Sequence, residues 1–206
     1  MSMPSPSVET DRPKPQQQRS SRRVSEYLEI AAALFAEAGY ETATMTAIAE
    51  RAGSSIGGLY RYFPDKQAIA VALQKRYTDD LDVLWGAVLE ELEQSSIADF
   101  ADRLMDRMVE FVSERPGFFA LLGVPIHYRR DIATRNHLRA QFSKAFRVKN
   151  SCLSQEEGLL AANVAIQIIK GMLAVCAEVE PRRRPPVIRE FKRAMKDYLA
   201  DVLRSS

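Results

Sequence analysis

The sequence predicts an all-α protein: an N-terminal unit of three short helices followed by a larger helical domain. Apolar residues recur at three- and four-residue steps along most of the 206 residues. Ala, Leu, Glu, Arg and Lys are abundant, while glycine is limited to nine positions and β-branched runs are scarce. Capping residues stand where the periodic stretches begin and end. A chain of this length fits one or two domains and buries a substantial core.

Residues 1–21 hold four prolines, a Gln run and scattered Ser, with almost no apolar side chains to offset the entropy of ordering, and read as a disordered tail. Arg12, Lys14 and Arg19 lead into Arg22 and Arg23, with no acid from Arg12 to Arg23. Two readings stand: a solvated tail, or a basic arm beside a phosphate backbone with Arg22 and Arg23 as its contacts.

The first helix is expected over 22–38, where Val24, Leu28, Ala31, Phe35 and Ala38 form a stripe and Gly39 suits a left-handed C-cap. Thr44 is the expected N-cap of a second helix, "MTAIAERA", which Gly53 ends. A third short segment runs from about Ser55 to Tyr62. Asp65 then caps a long fourth helix over 65–92, about 40 Å at 1.5 Å per residue, enough to join two domains.

Further on, "SIADFADRLMDRMVEFVSE" reads as a helix broken at Arg115-Pro116-Gly117, with an irregular stretch from Phe118 to Val124. Another helix spans "RRDIATRNHLRAQFSKAFRV", and "KNSC" is a loop. The apolar helix of 154–179 opens with Ser154 and Glu157 at capping-box spacing. "EPRRRPP" interrupts before a last helix over 187–203, and Arg182-Arg183-Arg184 reads as a solvated loop.

The three N-terminal helices, joined by a tight Gly-containing turn, have the proportions of a helix-turn-helix. Leu28, Ala31, Leu34, Phe35, Tyr40, Met45, Ile48, Leu59 and Phe63 can form its core. Gly57-Gly58 weakens any helix that holds it, by about 1 kcal/mol per glycine relative to alanine. A face without Cβ atoms lets a recognition helix approach bases and phosphates closely, and the first turn offers N–H groups and a positive dipole end to a phosphate. Arg61 can fork onto guanine or hold a phosphate, Tyr60 and Tyr62 carry hydroxyls at phosphate reach, and Lys66 adds a point charge. "GSSIGG" lacks the spacing of a P-loop or dinucleotide fingerprint.

The stretch "AAALFAEAGYETATMTAIAERAGSSIGGLYRYFPDKQAI", Ala31 to Ile69, resembles the DNA-binding domain of TetR/AcrR-family transcriptional regulators. The resemblance implies DNA contacts from Thr44, Thr46, Ser55, Gly57, Gly58, Tyr60, Arg61, Tyr62 and Lys66, with Tyr60 and Tyr62 as phosphate ligands. Ile56 stands where a polar or basic residue is common, Ser54 replaces a frequent Val, and Ala47 removes a frequent acid. Base preference at those positions therefore does not transfer from relatives.

The resemblance also implies a helical ligand-binding and dimerisation domain beyond about residue 80. The expected domains are the tail over 1–21, the helix-turn-helix over 22–67 and this C-terminal domain over 68–206. The last two helices are too apolar to be solvated on all sides, and pairing with a second copy as a four-helix bundle would bury them; packing within one subunit is the alternative. Trp85, Met105, Met108, Phe111, Phe118, Phe119, Tyr128, His137 and Phe142 are candidate pocket residues, and equally suit an ordinary core. Arg115 is a further possible anion anchor.

No cofactor or metal is expected: His127 and His137 lack ligand spacing, and Cys152 and Cys176 form no C-x-x-C motif. Cys176 reads as buried. No nucleophile–base pair or carboxylate dyad suggests an enzyme. The apolar run "FFALLGVPI" is too short to span a bilayer, and a cytoplasmic protein is expected. The expected function is a homodimeric repressor released from a palindromic operator in double-stranded DNA by an unknown small-molecule effector. The alternative is a helix-turn-helix regulator controlled by a protein partner or by no ligand.

Overall fold

The structure, a computed structural model, describes residues 15–124 and 132–204. Among them every regular element is helical: α1 (Pro15–Ala38), α2 (Met45–Arg51), α3 (Ile56–Tyr60), α4 (Lys66–Glu90), α5 (Ile97–Ser113), α6 (Phe118–Leu122), α7 (Ile132–Lys149), α8 (Gln155–Glu178) and α9 (Arg184–Val202), with a 3-10 turn at Pro181–Arg183 before α9. Residues 1–14 of the expected tail lie outside the described residues.

Two helix starts differ from expectation for the same reason. α1 begins at Pro15 rather than Arg22, and the prolines of "RRRPP" occupy the first turn of α9 instead of interrupting the chain. Proline's fixed φ suits the first helical turn, and the N–H it lacks would have had no partner there. Phe118–Leu122 forms a short helix where an irregular stretch was expected. The fourth helix ends at Glu90, slightly short of expectation.

The expected caps are present. Gly39 and Gly53 take φ of 82° and 58°, left-handed values that let the chain turn after α1 and α2. Thr44 and Asp65, and also Ser55, which the sequence had not marked as a cap, each accept a backbone N–H three residues on, from Ala47, Ala68 and Gly58. Ser154 and Glu157 form the reciprocal capping box at the start of α8, and the Ser154 hydrogen bonds hold the Glu157 carboxyl below its ordinary pKa.

α1, α2 and α3 close around Leu28, Ala31, Phe35, Ile48, Leu59 and Phe63, all buried. Arg51 makes two hydrogen bonds to Glu37, at 2.6 and 2.8 Å, and ties α2 to α1. Behind this unit, α4 runs on into the larger domain. α6 approaches α1 so closely that a Cβ on Gly117 would stand 3.0 Å from the Ala32 Cα and carbonyl oxygen. Arg115 pairs with Asp80 of α4 at 3.0 Å and lies over the Phe111 ring, so it closes a joint instead of awaiting an anion.

α7, α8 and α9 pack consecutively, and α9 also lies on α5 through Lys192–Asp106 and Lys196–Asp102 contacts of 2.5 Å each. α8 is long and apolar enough to cross a membrane, a property that the shorter run at 118–126 did not reveal. It is a core helix here, burying Ala161, Ala165, Ile169, Met172, Leu173 and Cys176. Cys152 is exposed. Arg184 departs from the expected solvated triplet: it donates to the Cys176 carbonyl at 2.9 Å and stacks over Phe119.

Candidate functional site

One end of the molecule gathers most of the residues that the sequence singled out. α3 is anchored from below by Leu59 and by Phe63 just beyond it, which are 0% and 6% exposed. Outward from that anchor stand Ser55, Gly57, Tyr60 and Arg61, all exposed, with exposed Thr44 and Thr46 at the start of α2 beside them. Nothing lies within 4 Å of the position a Cβ on Gly57 would take. The surface is therefore small and open at its centre, with one guanidinium and one phenol projecting from it and Ile56 as its exposed apolar member.

The other candidates are engaged to different degrees. Gly58 is half-buried, and a Cβ there would meet Ser55 Oγ at 3.3 Å. Tyr62 is half-buried against the Tyr27 ring, with centroids 5.7 Å apart. Arg22 is exposed, whereas Arg23 bonds Glu26 at 2.7 Å and lies over Tyr27. The third helix is also shorter than expected, five residues ending at Tyr60, because the chain tightens into turns with Tyr62 and Phe63 both donating to the Leu59 carbonyl. Ser55 already takes the Gly58 N–H, so the expected phosphate cradle of free first-turn N–H groups is reduced.

Lys66 is placed unlike the isolated point charge expected of it. Its ammonium donates to the carbonyls of Tyr40 and Glu41 at 2.6 and 2.8 Å and lies 4.5 Å from the Tyr40 ring centroid. It thus fastens the start of α4 to the turn after α1, with one of three donors left for an outside acceptor. Tyr27 was missed altogether: only 1% exposed, it packs beneath Arg23 and Tyr62. Its place on the Leu28 side of the α1 stripe was the available signal.

The second site is a partly open cavity of about 440 Å³ lined by α4 to α8. α4 supplies Gln74, Tyr77, Thr78, Leu81 and Trp85, which recur at helical spacing along one face. Met108, Phe118 and Leu121, Leu138 and Phe142 of α7, and Ile166, Ile169 and Leu173 of α8 supply most of the remaining lining. Trp85 meets Phe142 edge-on, with centroids 5.9 Å apart. Burial pushes the Tyr77 phenol above its ordinary pKa, which keeps it a neutral hydrogen-bonding group.

Trp85, Met108, Phe118 and Phe142 are therefore cavity residues, while Met105, Phe111 and Phe119 pack elsewhere and exposed His137 is outside the wall. Tyr128 lies outside the described residues. The contribution of α8 was missed because its apolar positions had been assigned to an interface between copies. Lys170, the sole cation of α8, was the signal that one face of that helix borders something polar.

Residues 28–73 match the pattern of bacterial regulatory proteins of the TetR family, and residues 96–199 match the tetracyclin repressor-like C-terminal domain. Over 63 residues the chain is 41% identical to the HTH-type transcriptional repressor KstR2 of Rhodococcus jostii, a segment covering 31% of this chain and 30% of that protein. It is also 42% identical over 55 residues to the repressor KstR of the same organism, covering 27% of this chain and 26% of the other. The chain thus spans less than a third of the length of these curated relatives. A TetR-family regulator structure from Streptomyces coelicolor superposes with a TM-score of 0.61 at 22% identity, covering 88% of this chain and 99% of the other, which extends the shared fold through both domains. With one pattern on the three-helix unit and the other spanning half of the chain, this protein belongs to the TetR family of bacterial regulatory proteins.

Proposed function

We propose that the protein is a homodimeric transcriptional repressor which sets α3 of each subunit into the major groove of a palindromic operator and leaves it when a small molecule fills the cavity. The open outward face of α3, with Gly57 flanked by Ser55, Tyr60 and Arg61 above a buried anchor, is the observation that carries this reading. Arg61 reads a base, while Tyr60, Tyr62 and Arg22 hold phosphates. The sign of regulation follows the curated relatives, which are named repressors. A protein acting on the chromosome in this way works in the cytoplasm.

Leu160 and Val175 project from α8 with 63% and 36% of their surface exposed, and cover by α8 and α9 of a second subunit would bury them. The cavity favours a small-molecule effector over a ligand-free regulator, because its occupancy can bias α4, which runs from the cavity to the three-helix unit. Selection from a random duplex library with the full chain should enrich a palindrome. Arg61→Ala should weaken the enriched site by about 1–3 kcal/mol and relax preference at one position of each half-site. No enrichment, or equal binding by Arg61→Ala and wild type, would overturn the assignment.

A further inference from the structure

The cavity wall is chemically one-sided. Among the described residues that form it, Arg139 of α7 and Lys170 of α8 are cations, Gln74, Tyr77 and Thr78 are neutral polar groups, and none is a carboxylate. Arg139 is half-buried, and its guanidinium bonds the neutral Asn136 Oδ1 at 3.3 Å; among the described residues no Asp or Glu pairs with it. Elsewhere in the same domain, half-buried cations such as Arg115 and Lys192 do sit on carboxylates. The rest of the lining is largely apolar, including Trp85, Phe118, Phe142 and aliphatic side chains of α8.

We propose that the cavity is built for an amphipathic carboxylate: an apolar body between the aromatic and aliphatic walls, with a single carboxylate seated on the Arg139 fork. A neutral apolar ligand would strip water from the guanidinium and return no counter-charge. A cationic ligand would add repulsion from Arg139. A carboxylate instead completes two parallel hydrogen bonds with the planar fork, a geometry that an ammonium lacks. The neutral hydroxyls and amide of α4 can serve a second polar group on the ligand. The volume lies within the range of sites that enclose small organic molecules.

This inference rests on the reading of the cavity as the effector site, and the two are separable by experiment. Trp85, the one tryptophan of the chain, lines the cavity and reports its occupancy by fluorescence. Decanoate, decanol and decylamine would be titrated against the full-length protein, each below its aggregation threshold, with melting temperature as a second readout. Decanoate should bind about tenfold or more tightly than decanol, with decylamine weakest, and Arg139→Gln should remove the preference for decanoate while leaving decanol binding unchanged. Equal affinity for decanoate and decanol in the wild type, no decanoate binding, or a preference that survives Arg139→Gln would overturn the proposal. Operator binding by the ligand-free protein is scored in parallel: intact DNA binding without carboxylate preference rejects only this inference. Carboxylate-selective binding by a protein that enriches no operator rejects the regulator reading and leaves the ligand class standing.

Discussion

Gly57 and Gly58 are adjacent in sequence and opposite in consequence. A methyl group at Gly57 enters open space, so Gly57→Ala should raise stability by about 0.5–1 kcal/mol through helix propensity, while weakening operator binding because the methyl stands on the proposed contact face. At Gly58 the same methyl crowds Ser55 Oγ at 3.3 Å, the oxygen that caps α3, so Gly58→Ala should gain nothing or lose stability. Paired thermal melts and DNA titrations of the two variants check both statements. Lys66 makes a third case. Lys66→Met removes two charge-assisted bonds to the Tyr40 and Glu41 carbonyls, and should cost about 1–3 kcal/mol in urea unfolding as well as any loss in DNA binding. The sequence showed that a cation follows the aromatic cluster. It could not show that two carbonyls lie within its reach, because their positions depend on how the turn after α1 folds back.

At the scale of elements, local signals were readable and distant partners were not. Thr44, Asp65 and Ser154 announced their helices because a cap and its partner lie three residues apart. Asn150, in the apparent "KNSC" loop, gave no such sign: its side-chain N–H groups reach the Val202 and Arg204 carbonyls, closing the end of α9 from the far side of the chain. Gly117 shows the same limit. Its role comes from Ala32 at 3.0 Å, and Gly117→Val should cost about 1–3 kcal/mol by forcing α6 off α1, measurable as a lowered urea midpoint with an unchanged slope. The α8 capping box offers a test in pH. Since Ser154 holds the Glu157 pKa down in the folded protein, the stabilisation is fully present above the ordinary glutamate value and fades as pH falls through the lowered one. Glu157→Gln should therefore flatten the decline in melting temperature as pH falls below the ordinary glutamate value.

For the whole molecule, the division into a three-helix unit and a larger helical domain could be read from periodicity, and the cavity could not. A cavity is a property of five helices at once, and its apolar lining looks in sequence like any other core position. Met105 and Met108 illustrate this: one helical turn apart on α5 and both buried, only the second borders the space. Association is the other property of this scale. Leu160→Asp places a charge on the exposed apolar face of α8, and should convert the proposed dimer to monomer in sedimentation experiments while leaving the helical content of each subunit intact. A dimer that persists unchanged would move the interface away from this face.

α3 is held in place almost entirely by what lies beneath and beside it. Leu59, Phe63 and the Ser55 cap secure the backbone, while Gly57, Tyr60 and Arg61 stand outside the core. Substitutions at those outward positions leave the buried scaffold untouched, so the DNA preference proposed for this face can drift with little penalty in folding. Duplicated copies of such a gene could diverge quickly in the DNA they read while keeping one architecture. The anchor would remain fixed as the reading surface above it was rewritten.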